Sequence, residues 1–184
     1  MALGDTNIIG DVTQTIKDLL TGLTVSLDSP ATLPTATTGQ DYKAINLFLY
    51  QVVENPHAKN QPWLSDSATR QQYPPLALNL SYMLTPYARD TSSAHQVLSH
   101  AMRILHDNAS VSGSLLYGSL PTAVEQLAIA LVPTTLEDLT RIWSALNSPY
   151  RLSVCYQARI ALIDSGIARD VSRVETKIDV FERI

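Results

Sequence analysis

Two imidazoles and a guanidinium fall within nine residues of one another at His95, His100 and Arg103, the densest grouping of reactive side chains in this sequence. Two histidines that chelate a metal from one helix stand at i and i+4, and no pair among His57, His95, His100 and His106 has that spacing. At i, i+5 and i+8, His95 and Arg103 share a helix face only loosely with His100, so an acid–base site there is a distant alternative. Cys155, the single thiol, lies in an alternating run opposite the main apolar row, without a flanking His or Lys to activate it, and reads as a small packed or interfacial side chain. The seven glycines form neither GxGxxG nor GxxxxGK. Glu137 and Asp138 open a helix, where carboxylates offset the helix dipole. Polar residues are spent on caps, turns and strand faces, so the chain is expected to be no enzyme, with no catalytic, cofactor-binding or metal-binding residues.

The elements that would have carried such chemistry are themselves well marked. With 184 residues, 45% of them hydrophobic and 16% charged, the chain suffices for one domain with a real core, and its low charge suits a subunit that hides surface in an assembly. A net charge of −4 and the absence of any Lys/Arg run argue against nucleic-acid binding. A lone cysteine precludes an intrachain disulfide and suits a reducing compartment. MALGDTNIIGDV lacks a basic region followed by an apolar core, and no run approaches the ~18 apolar residues of a membrane span. Synthesis and folding in the cytosol are expected.

Apolar steps of three and four from Ile8 to Leu23 predict an amphipathic helix over Asp5–Gly22. Leu23, Val25 and Leu27 make a short strand, and Ala44–Glu54 a strand apolar on both faces, either central or interfacial. PPLALNLSYMLTPY places Leu76, Leu78, Leu80, Tyr82 and Leu84 on one side of a half-buried strand. The twenty residues before it carry no convincing period; there Trp63 and Tyr73 anchor either a partner or the loop itself. A second helix spans roughly Ser92–His106, SVSGSLLYGSLP is a loop, Leu127–Leu131 a strand, and Thr135–Leu136–Glu137–Asp138 a capping box before a third helix. Leu152–Leu162 alternates over the longest run of all. The expected fold is α+β, one mostly antiparallel sheet flanked by about three helices. Residues 1–164 are expected to form this domain and residues 165–184 a C-terminal arm.

Four blocks, INLFLYQVVENP, PPLALNLSYMLTPYA, AHQVLSHAMRILHDN and LEDLTRIWSALNSPYRLSVCYQARIALID, resemble in this order the cap or tail-terminator protein of extracellular contractile injection systems of the antifeeding-prophage and virulence-cassette type. The likeness covers roughly Asn46 to Asp164. It implies a phage-tail-terminator-like fold and a homo-hexameric ring that ends inner-tube and sheath assembly, with the tube and sheath proteins as partners, in a phage tail-like particle that can be released. Some members of that family continue further than this sequence, so roles of a longer C-terminal extension are not expected here. A neck or sheath-end adaptor of a contractile phage tail is the alternative; a neck that passes DNA would favour Lys and Arg in its lumen, which the acidic balance disfavours.

Interface expectations follow. In the SGSLLYGSL loop, Leu115, Leu116 and Tyr117 are expected to touch the tube end or the adjoining subunit. Trp63 and Leu64 are candidate contacts in the long loop. In the arm, Val174, Thr176, Ile178 and Val180 alternate with charged residues, so Val174, Ile178 and Val180 are expected to pair with a neighbouring cap subunit or the sheath by strand addition.

Overall fold

The computed structural model describes residues 7–32, 43–59, 61–67, 69–124, 126–163 and 165–171. Its centre is β5 (Leu76–Ala88), which pairs antiparallel with β2 (Lys43–Glu54) on one side and β8 (Val154–Ile163) on the other. Beyond β2 lies β1 (Thr24–Ser26), the one parallel neighbour; beyond β8 lie β7 (Leu127–Val132) and β6 (Ser110–Val111). The fold is therefore α+β on a mostly antiparallel sheet, as expected from the strand periods.

Alternation along β5 decides what covers each face. Leu78, Leu80, Tyr82 and Leu84 turn towards α1 (Ile8–Leu19) and α2 (Thr91–Asp107) and join Ile45, Leu47, Leu127, Ile129 and Ala158 in the main core. From α1 the stripe Ile8, Val12, Ile16 and Leu20 enters it, each 0–2% exposed. Met83, one residue out of phase with that row, faces the other way and packs with Leu139, Trp143 and Cys155 beneath α4 (Leu136–Ala145). Helices therefore cover both faces, and Cys155 is the buried, packed thiol that its place in the alternation predicts. Most of the remaining inward positions on the α4 side are small and polar. There, Thr85 and Ser153 share a 3.0 Å hydrogen bond and Asn79 accepts 3.3 Å from Asn55, so these four side chains are partnered, whereas Asn46 Oδ1 and Trp143 Nε1 are buried without a hydrogen bond.

The cap at Thr135 is the one that the sequence predicts, and α2 carries a second at Asp90 that the sequence reading does not include. Asp90 accepts from the Ser93 amide at 2.9 Å, and Thr135 accepts from the Asp138 amide while its hydroxyl donates to the Asp138 carboxylate. Asn147 ends α4 at φ 52°, with the Ser148 amide reaching back to the Trp143 carbonyl.

Three parts differ from expectation. The long stretch before β5 holds a 3-10 turn at Pro56–Ala58 and two strands, β3 (Leu64–Ser67) and β4 (Arg70–Gln72). These form a separate three-stranded sheet with β9 (Ala168–Asp170). It shows no apolar alternation because backbone ladders and polar pairs hold it, such as Arg169 on Gln71 at 2.9 Å, rather than a buried face. A fourth, four-residue helix, α3 (Leu120–Ala123), opens with Pro121 inside the stretch read as loop. Finally, Ala168–Asp170 pair with the chain's own β4, while residues 172–184, with Val174, Ile178 and Val180, lie outside the described residues.

Burial raises the Tyr82 phenol from 10.0 to about 12, a shift that its 2.8 Å bond with the Thr13 hydroxyl partly offsets. The folded state thus favours the neutral phenol, and this contribution is complete below pH 10 and lost as pH rises through about 12. Tyr82→Phe keeps the ring but loses the bond. In urea titrations it is expected to cost about 1 kcal/mol at pH 8 and to flatten the fall of stability between pH 10 and 12.

Candidate functional site

The reactive residues do not converge. His57 sits in the Pro56–Ala58 turn, and His95 and His106 are exposed on α2, with His100 half-buried between them. Among the described residues, no group of three or more His, Cys, Asp or Glu side chains is placed to hold a metal ion. What the fold builds instead is a surface, and its most constructed part is the segment from Ser112 to Ser119.

That segment is clamped to the first helix from more than a hundred residues away. Asp11, on α1 and 8% exposed, accepts from the Ser119 amide at 2.9 Å and from the Ser119 hydroxyl at 2.7 Å. One turn along, fully buried Thr15 accepts from the Tyr117 amide at 2.9 Å and donates to the Asp11 carbonyl at 2.8 Å. Gly118 lies between these anchors at φ +60°, and a Cβ there would overlap the Asp11 carboxylate, so only glycine fits on both counts. The sequence pattern marks Asp11 as a polar interruption of the helix's apolar stripe. Its partner lies too far along the chain for spacing to reveal.

The clamp sorts the three expected contact residues. Leu116 turns inward and belongs to the main core at 6% exposure; Leu115 and Tyr117 point outward at 56% and 50%. Two large apolar side chains are thus displayed on a loop whose backbone is held. Leu116 is an anchor, an outcome that three consecutive apolar letters could not distinguish.

Trp63 and Leu64 occupy the small sheet. Trp63 meets Tyr73 edge to face at 5.4 Å and lies under the Arg169 guanidinium at 4.2 Å, while Leu64 is 46% exposed. Trp63 therefore ties β9 to the long loop within its own chain. Nearby Ile167, Leu76, Val52 and Val53 are also exposed apolar residues at that end of the molecule.

The chain matches a family model, the Pvc16 N-terminal domain, over residues 7–177. No curated protein matches. Among solved structures it is similar to the sheath/tube terminator of an extracellular contractile injection system, PVC, in the extended state, with 19% identity and a TM-score of 0.68 over 96% of this chain and 64% of that one. It is also similar to the tube-terminating cap of the anti-feeding prophage, with 15% identity and a TM-score of 0.62 over 98% of this chain and 63% of that one. The fold is shared with both, and the chain spans less than two thirds of the length of either. Among the described residues no helix is long and apolar enough to cross a membrane.

Removing the clamp should loosen the display. Asp11→Ala leaves the Ser119 donors without their partner and is expected to cost about 1–3 kcal/mol. Hydrogen exchange should speed up at the Tyr117 and Ser119 amides, while β5 and β8 amides keep their protection relative to global unfolding.

Proposed function

Because the chain belongs to the Pvc16 N-terminal domain family, we propose that it is a structural terminator of a contractile injection particle: a subunit of a ring on the distal end of the inner tube and sheath that stops their growth. The observation that carries this reading is fold similarity running through almost the whole chain to a sheath/tube terminator and to a tube-terminating cap. The absence of converging catalytic groups among the described residues agrees with a role in assembly rather than in chemistry. A ring of six fits it, with the tube and sheath proteins of the same particle as partners, and with synthesis in the cytoplasm before incorporation. A closed ring needs two different patches on each subunit. The clamped loop and the small sheet with Trp63 and Leu64 are separate surfaces suited to that need.

Leu115 and Tyr117 are the loop's contact residues in this reading. The double variant Leu115→Ser, Tyr117→Ser should stay soluble and folded, since neither side chain is in the core, yet leave tubes uncapped and overlong when co-expressed with tube and sheath proteins. Negative-stain imaging reads the tube length, and native mass spectrometry reads the ring. Normal tube length in the variant removes the loop from the cap contact. A strict monomer with no ring on assembled particles removes the terminator reading itself.

The C-terminal segment is proposed to act in trans, adding its alternating Val174, Ile178 and Val180 to a neighbouring sheet. Truncation after Val171 retains β9 and its pairing with β4. The truncated subunit is expected to melt at nearly the same temperature and to hold the sheath end poorly; a large drop in melting temperature would place the segment in the subunit's own core.

A further inference from the structure

At the end of the sheet where β5 runs into α2, a surface cleft is lined by Tyr87, Arg89, Asp90, His95 and Arg151 among others. Lys43 adds to it from the neighbouring strand, since it stands opposite Ala88 in the register. Two guanidiniums thus line one cleft with a single carboxylate, and Lys43 acts on that carboxylate from beside it, on a chain whose overall charge is −4. That carboxylate, Asp90, is already engaged in capping α2 through the Ser93 amide and hydroxyl, at 2.9 and 2.7 Å. Among the described residues, none within ion-pair distance answers Arg89, Arg151 or Lys43. The exposed acids elsewhere that stand beside a base do pair, Glu54 with Lys59 and Glu137 with Arg141.

One of these cations is held in place. Tyr87 donates its hydroxyl to the Pro30 carbonyl at 2.8 Å, and the Arg151 guanidinium carbon lies 5.2 Å from the centroid of that fixed ring. A guanidinium carried against an aromatic ring keeps its N–H donors for a ligand and has less freedom to lose on binding. Arg89, exposed and directly after the end of β5, lines the same cleft.

We propose that this cleft docks an acidic segment of another protein, one that brings two or more closely spaced carboxylates to Arg89 and Arg151. Two guanidiniums match carboxylates in bidentate geometry, which is where arginine is preferred over lysine. A second copy of this chain fits less well: of its described exposed acids on regular elements, Glu54, Glu137 and Asp138 are matched by Lys59 and Arg141, and Asp18, Asp107 and Asp170 have no second acid beside them in sequence, whereas the cleft calls for carboxylates close together. The start of α2 adds little, because Asp90 already closes it. This assignment rests on charge and geometry, and it holds or fails separately from the terminator role.

The probe is a hexaglutamate peptide, with hexaglutamine as control, titrated into the labelled full chain while amide NMR shifts are followed. Hexaglutamate is expected to shift the amides of Ala88, Arg89, Thr91, His95 and Leu152, and hexaglutamine to leave them unmoved. Arg89→Gln with Arg151→Gln should weaken binding about tenfold or more, whereas Arg89→Lys with Arg151→Lys, which keeps the charge but loses the bidentate fork and so guards against a folding defect in the Gln pair, should weaken it less than the Gln pair while still falling short of the unsubstituted chain. Shifts scattered over all basic residues, or binding indifferent to the Gln pair, overturn the proposal. So does tighter, variant-sensitive binding of a twelve-base-pair DNA duplex, which would reassign the cleft to phosphate. The same shifts appearing on raising protein concentration without peptide would assign it to a second copy and overturn it equally.

Discussion

The double pairing of β5 is the constraint from which the rest of the molecule hangs. A strand hydrogen-bonded along its length on both sides, in a sheet with helices on both faces, has no freedom of register, because a slip of one residue would turn Leu78, Leu80, Tyr82 and Leu84 towards α4 and Met83 towards α1. Its partners adjust to it by local irregularity. β2 carries an extra residue at Tyr50 and β8 one at Ile160, so the ladder re-forms beyond each bulge instead of shifting throughout. The small polar side chains of its second face add to the lock, since Thr85 and Asn79 each have a partner only in this register.

Around that fixed strand the surface is divided into anchored and displayed parts. Leu116 and Leu115 are neighbours in sequence, and one is core while the other is solvent-facing. The difference is made by Asp11 and Thr15, which hold the backbone so that the alternation of the loop is converted into inside and outside. A loop restrained in this way presents apolar surface with little conformational freedom left to lose on contact. Trp63 follows a different logic. Its ring is sandwiched by Tyr73 and Arg169 and serves first to gather the small sheet, leaving Leu64 and Ile167 as the exposed apolar members there.

The parts legible in the sequence were those with a buried face. The rows of β5 and β8, the stripe of α1, and the cap at Thr135 all leave periodic or positional marks in the letters. β3, β4 and β9 leave none, because a sheet held by backbone pairing and by Gln71 with Arg169 has no apolar period to read. The clamp of Asp11 on Ser119 was equally hidden, since a single acid in a helix looks the same whether it meets water or a partner more than a hundred residues away. α3 was concealed by brevity: four residues opening with a proline read as part of a loop. The family likeness, which rests on blocks of core pattern, was visible for the same reason that the core was.

That α1 packs against β8 and is fastened to the Ser112–Ser119 segment also bears on the order of synthesis. α1 has binding partners more than a hundred residues further along the chain, and β5 lacks one of its two neighbours until Val154–Ile163 have been made. Contacts of such high sequence separation make folding slow and hold back much of the stabilisation until Val154–Ile163 are available. Until those strands are in place, Ile8, Val12, Ile16 and Leu20 have only part of their native cover, and the apolar stripe of α1 is a surface on which a chaperone would find a binding site.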